Sequence, residues 1–396
     1  MTRTAPAPRV LMLSDVYFPR VNGVSTSVQT FRRDLAALDC PSLLVAPQYP
    51  ADRDDEPDVF RVRSRYLPFD PEDRIMSRRE LMRICGSLIG QFNLIHIQTP
   101  FLAHRIGLRL AHRLGLKTVE TYHTYFEHYF HHYLPLLPRS ILSRLARSIS
   151  RNQCDAVDAV IAPSPQMAQA LTQYGVTSHI EVIPTGLDLK QFSGGDGARF
   201  RAANGIEPGR PVMLTVGRIA FEKNLNFLID VLERTWQAVP DVLMVFAGDG
   251  PAVPHLKRRV ERRRLGHNVR FVGYLDRSSG LLDCYRGADV FVFASKTETQ
   301  GLVLLEAMAV GTPVVSTAVM GTKTVLDGAP GAVVVDEHLG RFSSAVVELL
   351  RHPRRRAALS AKASAFIAER WSSQEMARRM LDLYRRLLEP THEIRR

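Results

Sequence analysis

Cysteine is scarce in this chain. Four residues of 396 are Cys40, Cys85, Cys154 and Cys284. None stand as CxxC and the gaps are wide, so they read as reduced thiols of a cytosolic protein. No stretch approaches the roughly 20 apolar residues that a membrane span needs. The opening MTRTAPAPRV has no long apolar run behind its charges and does not read as a signal peptide. There is no Walker A motif, and Gly248-Asp249-Gly250 lacks the third glycine of a dinucleotide fingerprint, which sets both cofactor classes aside. Ser164 lies in APSPQ rather than GxSxG, so an esterase elbow is absent. Acidic residues are also short, 40 against 52 Lys and Arg, for a net charge of +12. Such a chain attracts polyanions: nucleic acid, an anionic membrane surface, or phosphorylated small molecules.

What remains is an ordinary globular composition, 45% apolar and 23% charged. A chain of 396 residues exceeds what one core usually organises, so two domains are expected. Short apolar runs read as buried strands at Arg9–Leu13, Ser42–Ala46, Leu94–Gln98, Lys117–Thr121 and Ala159–Ala162. Helical periodicity fills Val24–Leu38 and Ala103–Leu114, and Ala51–Asp58 reads as an acidic surface loop. Gly186–Gly197 is glycine-rich and polar, the best linker candidate. Beyond it strands and helices alternate again, with strands at Pro211–Val216, Val242–Ala247, Val269–Val272, Val290–Phe293, Pro313–Ser316 and Ala332–Val335. Helices are expected at Asn226–Ala238, Lys257–Arg264, Leu302–Ala309, Pro353–Ile367 and Gln374–Leu388. The alternation predicts α/β domains with parallel, doubly wound sheets, whose ligands bind beyond the carboxyl ends of the strands.

The loops after strands carry the candidate chemistry. In SKTETQGLVLLEAMAVGTPVV (Ser295–Val315) a strand runs into a polar loop holding Glu298, and a helix starts near Gly301 with Glu306 on it. The amides of Gln300, Gly301, Leu302 and Val303 at that helix start suit a phosphate. Glu306 lies about 7–8 Å along the axis from Gly301 at 1.5 Å per residue. A nucleotide sugar fits: ribose at one carboxylate, diphosphate on the amides, hexose at the other. The plain alternative is that Glu298 caps the helix and Glu306 is a solvated helix residue. In TVGRIAFEKN (Thr215–Asn224), Arg218 and Lys223 follow a strand and could neutralise a leaving diphosphate, or be ordinary surface cations. In SDVYFPRVNGV (Ser14–Val24), Asn22 and Gly23 precede a helix, where glycine lets backbone approach a ligand. In ETYHTYFEHYFHHY (Glu120–Tyr133), His123 follows a strand, and His128 and His132 stand at i, i+4, a zinc spacing that no cysteine or acidic cluster completes.

These segments, in this order, resemble the retaining glycosyltransferases of family 4, which have the GT-B architecture. Glu298 through Glu306, followed by AMAVGTPVV, looks like that family's E-x7-E signature, and GRIAFEKN (Gly217–Asn224) like its Arg/Lys diphosphate clamp. NGV at Asn22, PTGLD at Pro184, AGDGP at Ala247 and FVGYL at Phe271 also fall in family order, and Trp371–Leu388 is similar to the family's terminal helix. The resemblance implies two Rossmann-like domains whose parallel sheets face across a cleft. It divides the chain into residues 1–190 (acceptor domain), 191–371 (nucleotide-sugar domain) and 372–396 (a helix returning to the first domain). It implies that Arg218 and Lys223 bind the donor diphosphate, Glu306 the ribose hydroxyls and Glu298 the donor sugar. Amides of Gly301 to Val303 hold phosphate or sugar oxygens. Gly23, next to Asn22, lies against the phosphates or the sugar, His123 near the sugar's C6 hydroxyl, and Tyr274 contacts the base through its backbone. No cofactor and no metal are expected, because the cations and helix amides replace one. Attack is expected from the front face within an ion pair, the leaving diphosphate taking the acceptor proton.

TYHTYFEHYFHHYLP (Thr121–Pro135) and SKTETQGLVLLEA (Ser295–Ala307) look like the branch that glycosylates diacylglycerol-type lipids, although His131 and His132 depart from it. After Glu127 no acidic residue occurs until Asp155, while Arg139, Arg144, Arg147 and Arg151 alternate with Ile141, Leu142, Leu145 and Ile149. A basic amphipathic helix of this kind suits an anionic bilayer surface, or else packs on its own domain with a solvated basic face. The expectation is a cytoplasmic enzyme, peripheral on the inner face of the cell membrane, that transfers a hexose from a UDP-sugar to a lipid such as diacylglycerol. The same chemistry on a soluble or polysaccharide acceptor is the nearest rival, and a nucleotide-sugar epimerase is a rival of another class. Nucleic acid is not an expected partner, because the basic residues scatter over many helices with no base-stacking surface among them.

Overall fold

The structure is a computed structural model, and it describes residues 6–50, 56, 58–67, 70–125, 139–277 and 279–389. It consists of two compact units, Met1–Gly186 with Ser373–Arg396, and Leu187–Ser372. The first opens with β1 (Val10–Leu13), α1 (Gly23–Ala36), β2 (Ser42–Pro47), β3 (Val59–Val62), β4 (Ser64–Leu67), β5 (Asp70–Met76) and α2 (Arg78–Ser87). It continues with β6 (Leu94–Ile97), α3 (Leu102–Leu114), β7 (Lys117–Thr121), α4 (Arg139–Cys154), β8 (Ala159–Ala162), α5 (Pro165–Gln173) and β9 (His179–Val182).

The second unit holds α6 (Gly197–Ala203), β10 (Val212–Val216), α7 (Leu225–Ala238), β11 (Leu243–Ala247), α8 (Val253–Arg262), β12 (Val269–Gly273) and α9 (Gly280–Gly287). Then come β13 (Val290–Phe293), α10 (Leu302–Ala309), β14 (Val314–Ser316), α11 (Gly321–Leu326), β15 (Ala332–Val334), α12 (Leu339–Arg351) and α13 (Pro353–Arg370). The last helix, α14 (Ser373–Leu388), belongs to the first unit. Short 3-10 turns at Leu189–Phe192, Phe221–Lys223 and Gly266–Asn268 complete the second unit.

Each unit is organised by a parallel sheet. In the first the order is β3-β2-β1-β6-β7-β8-β9, and in the second β12-β11-β10-β13-β14-β15. Every pair in both is parallel. The central strands are buried on both faces, so they read as unbroken apolar runs: VLML in β1, AVIA in β8 and VFVF in β13 have every residue buried. The hairpin β4–β5 stands apart from the large sheets and pairs antiparallel.

Helix ends are set by local chemistry. Asn22 caps α1 by accepting from Ser25 N at 2.8 Å. Ser164 caps α5, with Pro165 in its first turn. Gly115 ends α3 in the left-handed conformation at φ 64°.

α14 completes the core of the first unit. Met376, Ala377, Met380, Leu381, Leu383 and Tyr384 pack with Val10, Met12, Phe31 and Leu35. Each buried Met or Leu side chain among them contributes about 1.5–3 kcal/mol by leaving water. A polar tie accompanies the apolar one. Tyr384 OH meets His96 Nδ1 at 2.7 Å, and His96 Nε2 meets Thr121 Oγ1 at 2.7 Å. A neutral imidazole has one donor and one acceptor nitrogen, and a hydroxyl can answer either, so the chain from α14 through β6 to β7 is satisfied.

Burial, with a smaller contribution from His123, lowers the His96 pKa to about 3. The folded pKa thus lies below the unfolded value, and between the two the unfolded chain binds the extra proton. The neutral ring's contribution is complete above about pH 6.5 and fades as pH falls. In urea unfolding over a pH series, the stability difference between wild type and His96→Asn should shrink by about 1.4 kcal/mol per pH unit between about pH 6 and pH 4. A difference independent of pH would show that His96 is already charged in the fold.

Candidate active site

In the second unit, parallel pairing brings the loops after β10, β11, β12, β13 and β14 to one edge of the sheet. Backbone bonds stitch the first three. Gly217 N donates to Ala247 O at 3.0 Å, Ile219 N to Asp249 O at 2.8 Å, and Gly248 N to Gly273 O at 2.7 Å. Gly248 has φ 135°, and a Cβ there would stand 2.0 Å from Gly217 O. The Gly-Asp-Gly sequence, too short for a dinucleotide fingerprint, therefore serves another purpose: it lets the Arg218 loop lie directly on the next one. Tyr274, on the loop after β12, is about half exposed and its hydroxyl donates to Asp249 O at 3.4 Å.

Arg218 follows β10, and Lys223 ends the 3-10 turn Phe221–Lys223. Lys223 Nζ is paired with Glu298 Oε1, both side chains mostly buried, so the cation from one loop and the carboxylate from another are one unit. Glu298 does not cap α10: the cap position is Gly301, at φ 96° and without a side-chain bond. Leu304 N turns back to Gly301 O at 3.0 Å, and helix geometry gives the amides of Leu302 and Val303 no acceptor one turn earlier in α10. Gln300, just before, is buried at 5% exposure. Gly321 holds this loop from behind. Its amide donates to Glu298 O at 3.0 Å, and a Cβ there would meet Thr299 O at 2.0 Å.

Glu306 is not a solvated helix residue either. It is 1% exposed. Arg277 Nη2 donates to its Oε1, and Tyr285 OH donates to its Oε2 at 2.8 Å. The Arg277 guanidinium is held further toward its charged form, chiefly by Glu306. The Tyr285 phenol is held neutral, first by burial and then by the neighbouring carboxylate. Sequence reading missed both partners. They lie 29 and 21 residues from Glu306, on other elements, and no motif spacing marks them.

In the first unit, the side-chain acceptor of Asn22 is occupied in capping α1, and Gly23 is the first helical residue. A Cβ on Gly23 would meet no atom within 4 Å, so packing inside this unit does not demand glycine there. Asp15, just after β1, accepts from Thr99 Oγ1 at 2.7 Å, Leu102 N at 3.2 Å and Ala103 N at 3.1 Å, so it caps α3 from a distance. Burial nonetheless pushes its pKa up to about 6. His123 Nε2 stands 3.0 Å from Gln98 Oε1. Burial brings the ring's pKa down to about 4, so it is neutral near pH 7. With Gln98 in this orientation, Nε2 carries the hydrogen and Nδ1 is the acceptor.

Of the cations assigned to a membrane face, Arg139, Arg144, Arg147 and Arg151 all lie on α4. Leu142 and Ala146 turn inward at 1% exposure each, while Ile141 and Leu145 stand outward at 53% and 46%. Arg144 is exposed beside them. Arg147 lies over the Tyr174 ring at 5.7 Å, and Arg151 is 3.5 Å from Asp155. His128, His131 and His132 lie outside the described residues, as does most of the acidic loop Ala51–Asp58. Of that loop, Glu56 is described and accepts from Tyr17 OH at 2.7 Å and from Arg32 at 2.6 Å. Among the described residues no group of three His, Cys, Asp or Glu is placed to hold a metal ion, and no helix is long and apolar enough to cross a membrane. All four cysteines are buried and unpaired with one another.

Two family models match the chain in succession, Glycosyltransferase Family 4 over residues 21–191 and Glycosyl transferases group 1 over residues 196–366. An alpha-monoglucosyldiacylglycerol synthase of Streptococcus pneumoniae is 30% identical over 318 residues, 78% of this chain and 70% of that protein. A D-inositol 3-phosphate glycosyltransferase of Catenulispora acidiphila is 32% identical over 320 residues, 77% of this chain and 73% of the relative. Among solved structures, Anabaena HepE in complex with UDP and glucose superposes with a TM-score of 0.76 at 17% identity, over 95% of this chain and 99% of that one. Two parallel-sheet α/β units, these matched segments and these relatives place the chain in the GT-B glycosyltransferases of family 4, group 1, and it is a hexosyltransferase.

Proposed function

We propose that this glycosyltransferase moves a hexose from a nucleotide sugar, a UDP-sugar, to a diacylglycerol-type lipid with retention of configuration. The observation that carries the donor half is the state of the two glutamates. Glu298 and Glu306 flank the start of α10, and each is matched to a cation, Lys223 and Arg277. A bound diphosphate would bring its own negative charge to Lys223 and Arg218, releasing Glu298 to accept from hexose hydroxyls. Glu306, fixed by Tyr285 and Arg277, would accept from the ribose. The Leu302 and Val303 amides would take phosphate or sugar oxygens, and the base would lie against the Tyr274 backbone. In the first unit, Gly23 is assigned to the phosphates or the sugar, and the neutral His123, with Nδ1 as acceptor, to the C6 hydroxyl.

In this reading the bond from the anomeric carbon to the diphosphate oxygen breaks as the acceptor oxygen bonds to the same face. The acceptor proton passes to the departing diphosphate. Arg218 and Lys223 stabilise the charge that develops on the leaving group, a role that grows in the transition state. No metal is assigned, since these cations and the α10 amides supply the positive field. HepE was solved with UDP and glucose, which supports the donor class.

The lipid acceptor is supported by the relative named for monoglucosyldiacylglycerol and by α4, where exposed Ile141 and Leu145 stand beside Arg144. A soluble phosphorylated acceptor is the second reading, favoured by the relative named for inositol 3-phosphate.

Release of nucleoside diphosphate from UDP-, GDP- and ADP-sugars, with and without diacylglycerol vesicles, tests both halves. Turnover of a UDP-sugar only with vesicles is expected, and turnover driven by inositol phosphate instead would transfer the assignment to the second reading. Lys223→Ala should lower kcat/KM at least about a hundredfold, as loss of one oxyanion-type donor does. Near wild-type rates would remove Lys223 from the mechanism. Arg144→Glu combined with Ile141→Gln should weaken sedimentation with anionic vesicles and leave donor hydrolysis in solution unchanged. Equal sedimentation would place the membrane face elsewhere.

A further inference from the structure

Arg277 belongs to none of the segments that marked the donor site, yet it holds the most deeply buried carboxylate there. It lies between β12 and α9, next to Asp276, whose carboxylate holds the start of α9. The Asp276 carboxylate accepts from Ser279 N at 2.9 Å and from Gly280 N at 2.9 Å. A Cβ on Gly280 would stand 2.8 Å from Asp276 Oδ2, so a side chain there would disturb the arrangement. The Arg277 side chain reaches Glu306 Oε1 and remains about a quarter exposed.

A carboxylate at this depth needs its oxygens hydrogen-bonded. Tyr285 OH supplies one bond to Oε2. Arg277 supplies the only cation that an ion pair with Glu306 shows among the described residues. Two donors do not saturate the carboxylate, which has about four lone-pair sites. Glu306 can therefore keep both partners and still accept from a vicinal pair of ribose hydroxyls.

We propose that Arg277 is a positioning residue of the donor site, the counter-ion that keeps Glu306 aimed at the ribose, and that it stays on Glu306 when the nucleotide is bound. The proposal rests on the assignment of Glu306 to the ribose. It makes Arg277 a determinant of affinity for the ribose hydroxyls alone, with no part in grasping the base or the diphosphate.

The test is a calorimetric comparison of a nucleoside diphosphate with its 2′,3′-dideoxy analogue. UDP, GDP and ADP are first offered to the wild-type protein. If none binds, or if the parent and dideoxy forms bind alike, the ribose assignment itself falls and takes this proposal with it, before any variant is made. If wild type prefers the ribose form, Arg277→Met should lower affinity for it by about 10- to 100-fold, the range for one charge-assisted hydrogen bond. Affinity for the dideoxy form should stay the same. Arg277→Lys should recover part of the preference. Glu306→Gln should erase the preference, and adding Arg277→Met to it should change nothing further. In turnover, Arg277→Met should raise the donor KM and leave kcat at saturating donor within a few-fold. Equal losses for both ligands would mean that Arg277 touches the base or phosphate, or that the loop has collapsed, and unchanged preference would mean that Glu306 does not need it. Either result overturns the proposal.

Discussion

Parallel hydrogen bonding is the constraint from which the rest follows. Strands that all run one way need a crossover between each neighbouring pair, and apart from the β2–β3 connection the crossovers between consecutive strands here carry helices. The carboxyl ends of the strands then lie along one edge, where loops meet that are far apart in sequence. Lys223 after β10 reaches Glu298 after β13, and Arg277 after β12 reaches Glu306 on α10. Close approach of those loops is what Gly248 and Gly321 permit, since a side chain on either would strike a backbone carbonyl. The sheet sets the address of each functional group, and the glycines let the addresses touch.

Charge pairing is the second theme. The net charge of +12 describes the chain, but many cations are committed inside their own unit. The basic helix α8 leans on α7: Arg259 bonds Asp230 at 2.6 Å, and Arg263 is 3.0 Å from Asp230 and paired with Glu233. Arg201 and Arg356 share Asp289, each at 3.0 Å, which ties α6 and α13 to the start of β13. Basic runs that look alike in the sequence are thus different in kind. Those on α8 and α13 hold neighbouring helices, whereas Arg144 on α4 stands exposed among apolar side chains.

The large sheets were legible because their strands are buried on both faces, and a short unbroken apolar run such as VFVF or AVIA, bounded by polar loops, suits a strand inside a parallel sheet. The helix α14 was legible through its apolar stripe of Met376, Met380, Leu381 and Tyr384. Several short or half-exposed elements escaped, the hairpin β4–β5, the edge strand β9 and the short helices α6 and α9, which carry little periodicity. So did α2, α5 and the thirteen-residue α12 with its buried Phe342, Val346 and Leu349. At the site, residues inside one contiguous segment were visible, as Glu298 and Glu306 were. Arg277, Tyr285 and Asp15 were not, because each acts through a partner that only the fold supplies. The glycine pair around Asp249 was read as a failed cofactor motif and as one segment of the family order, and its steric use lies in the loop it accommodates.

The core of the first unit contains a helix that follows the whole of the second unit in the chain. Met376, Met380, Leu381 and Tyr384 of α14 join a core whose members outside that helix, Val10 to Ile183, all precede the second unit. During translation, the second unit is continuous in the chain and can close on its own as it emerges. The first unit must wait, with an apolar face uncovered, through the synthesis of everything from Leu187 to Ser372. An apolar face left uncovered for that long is exposed to aggregation, so the two units differ in the help their folding asks of the cell.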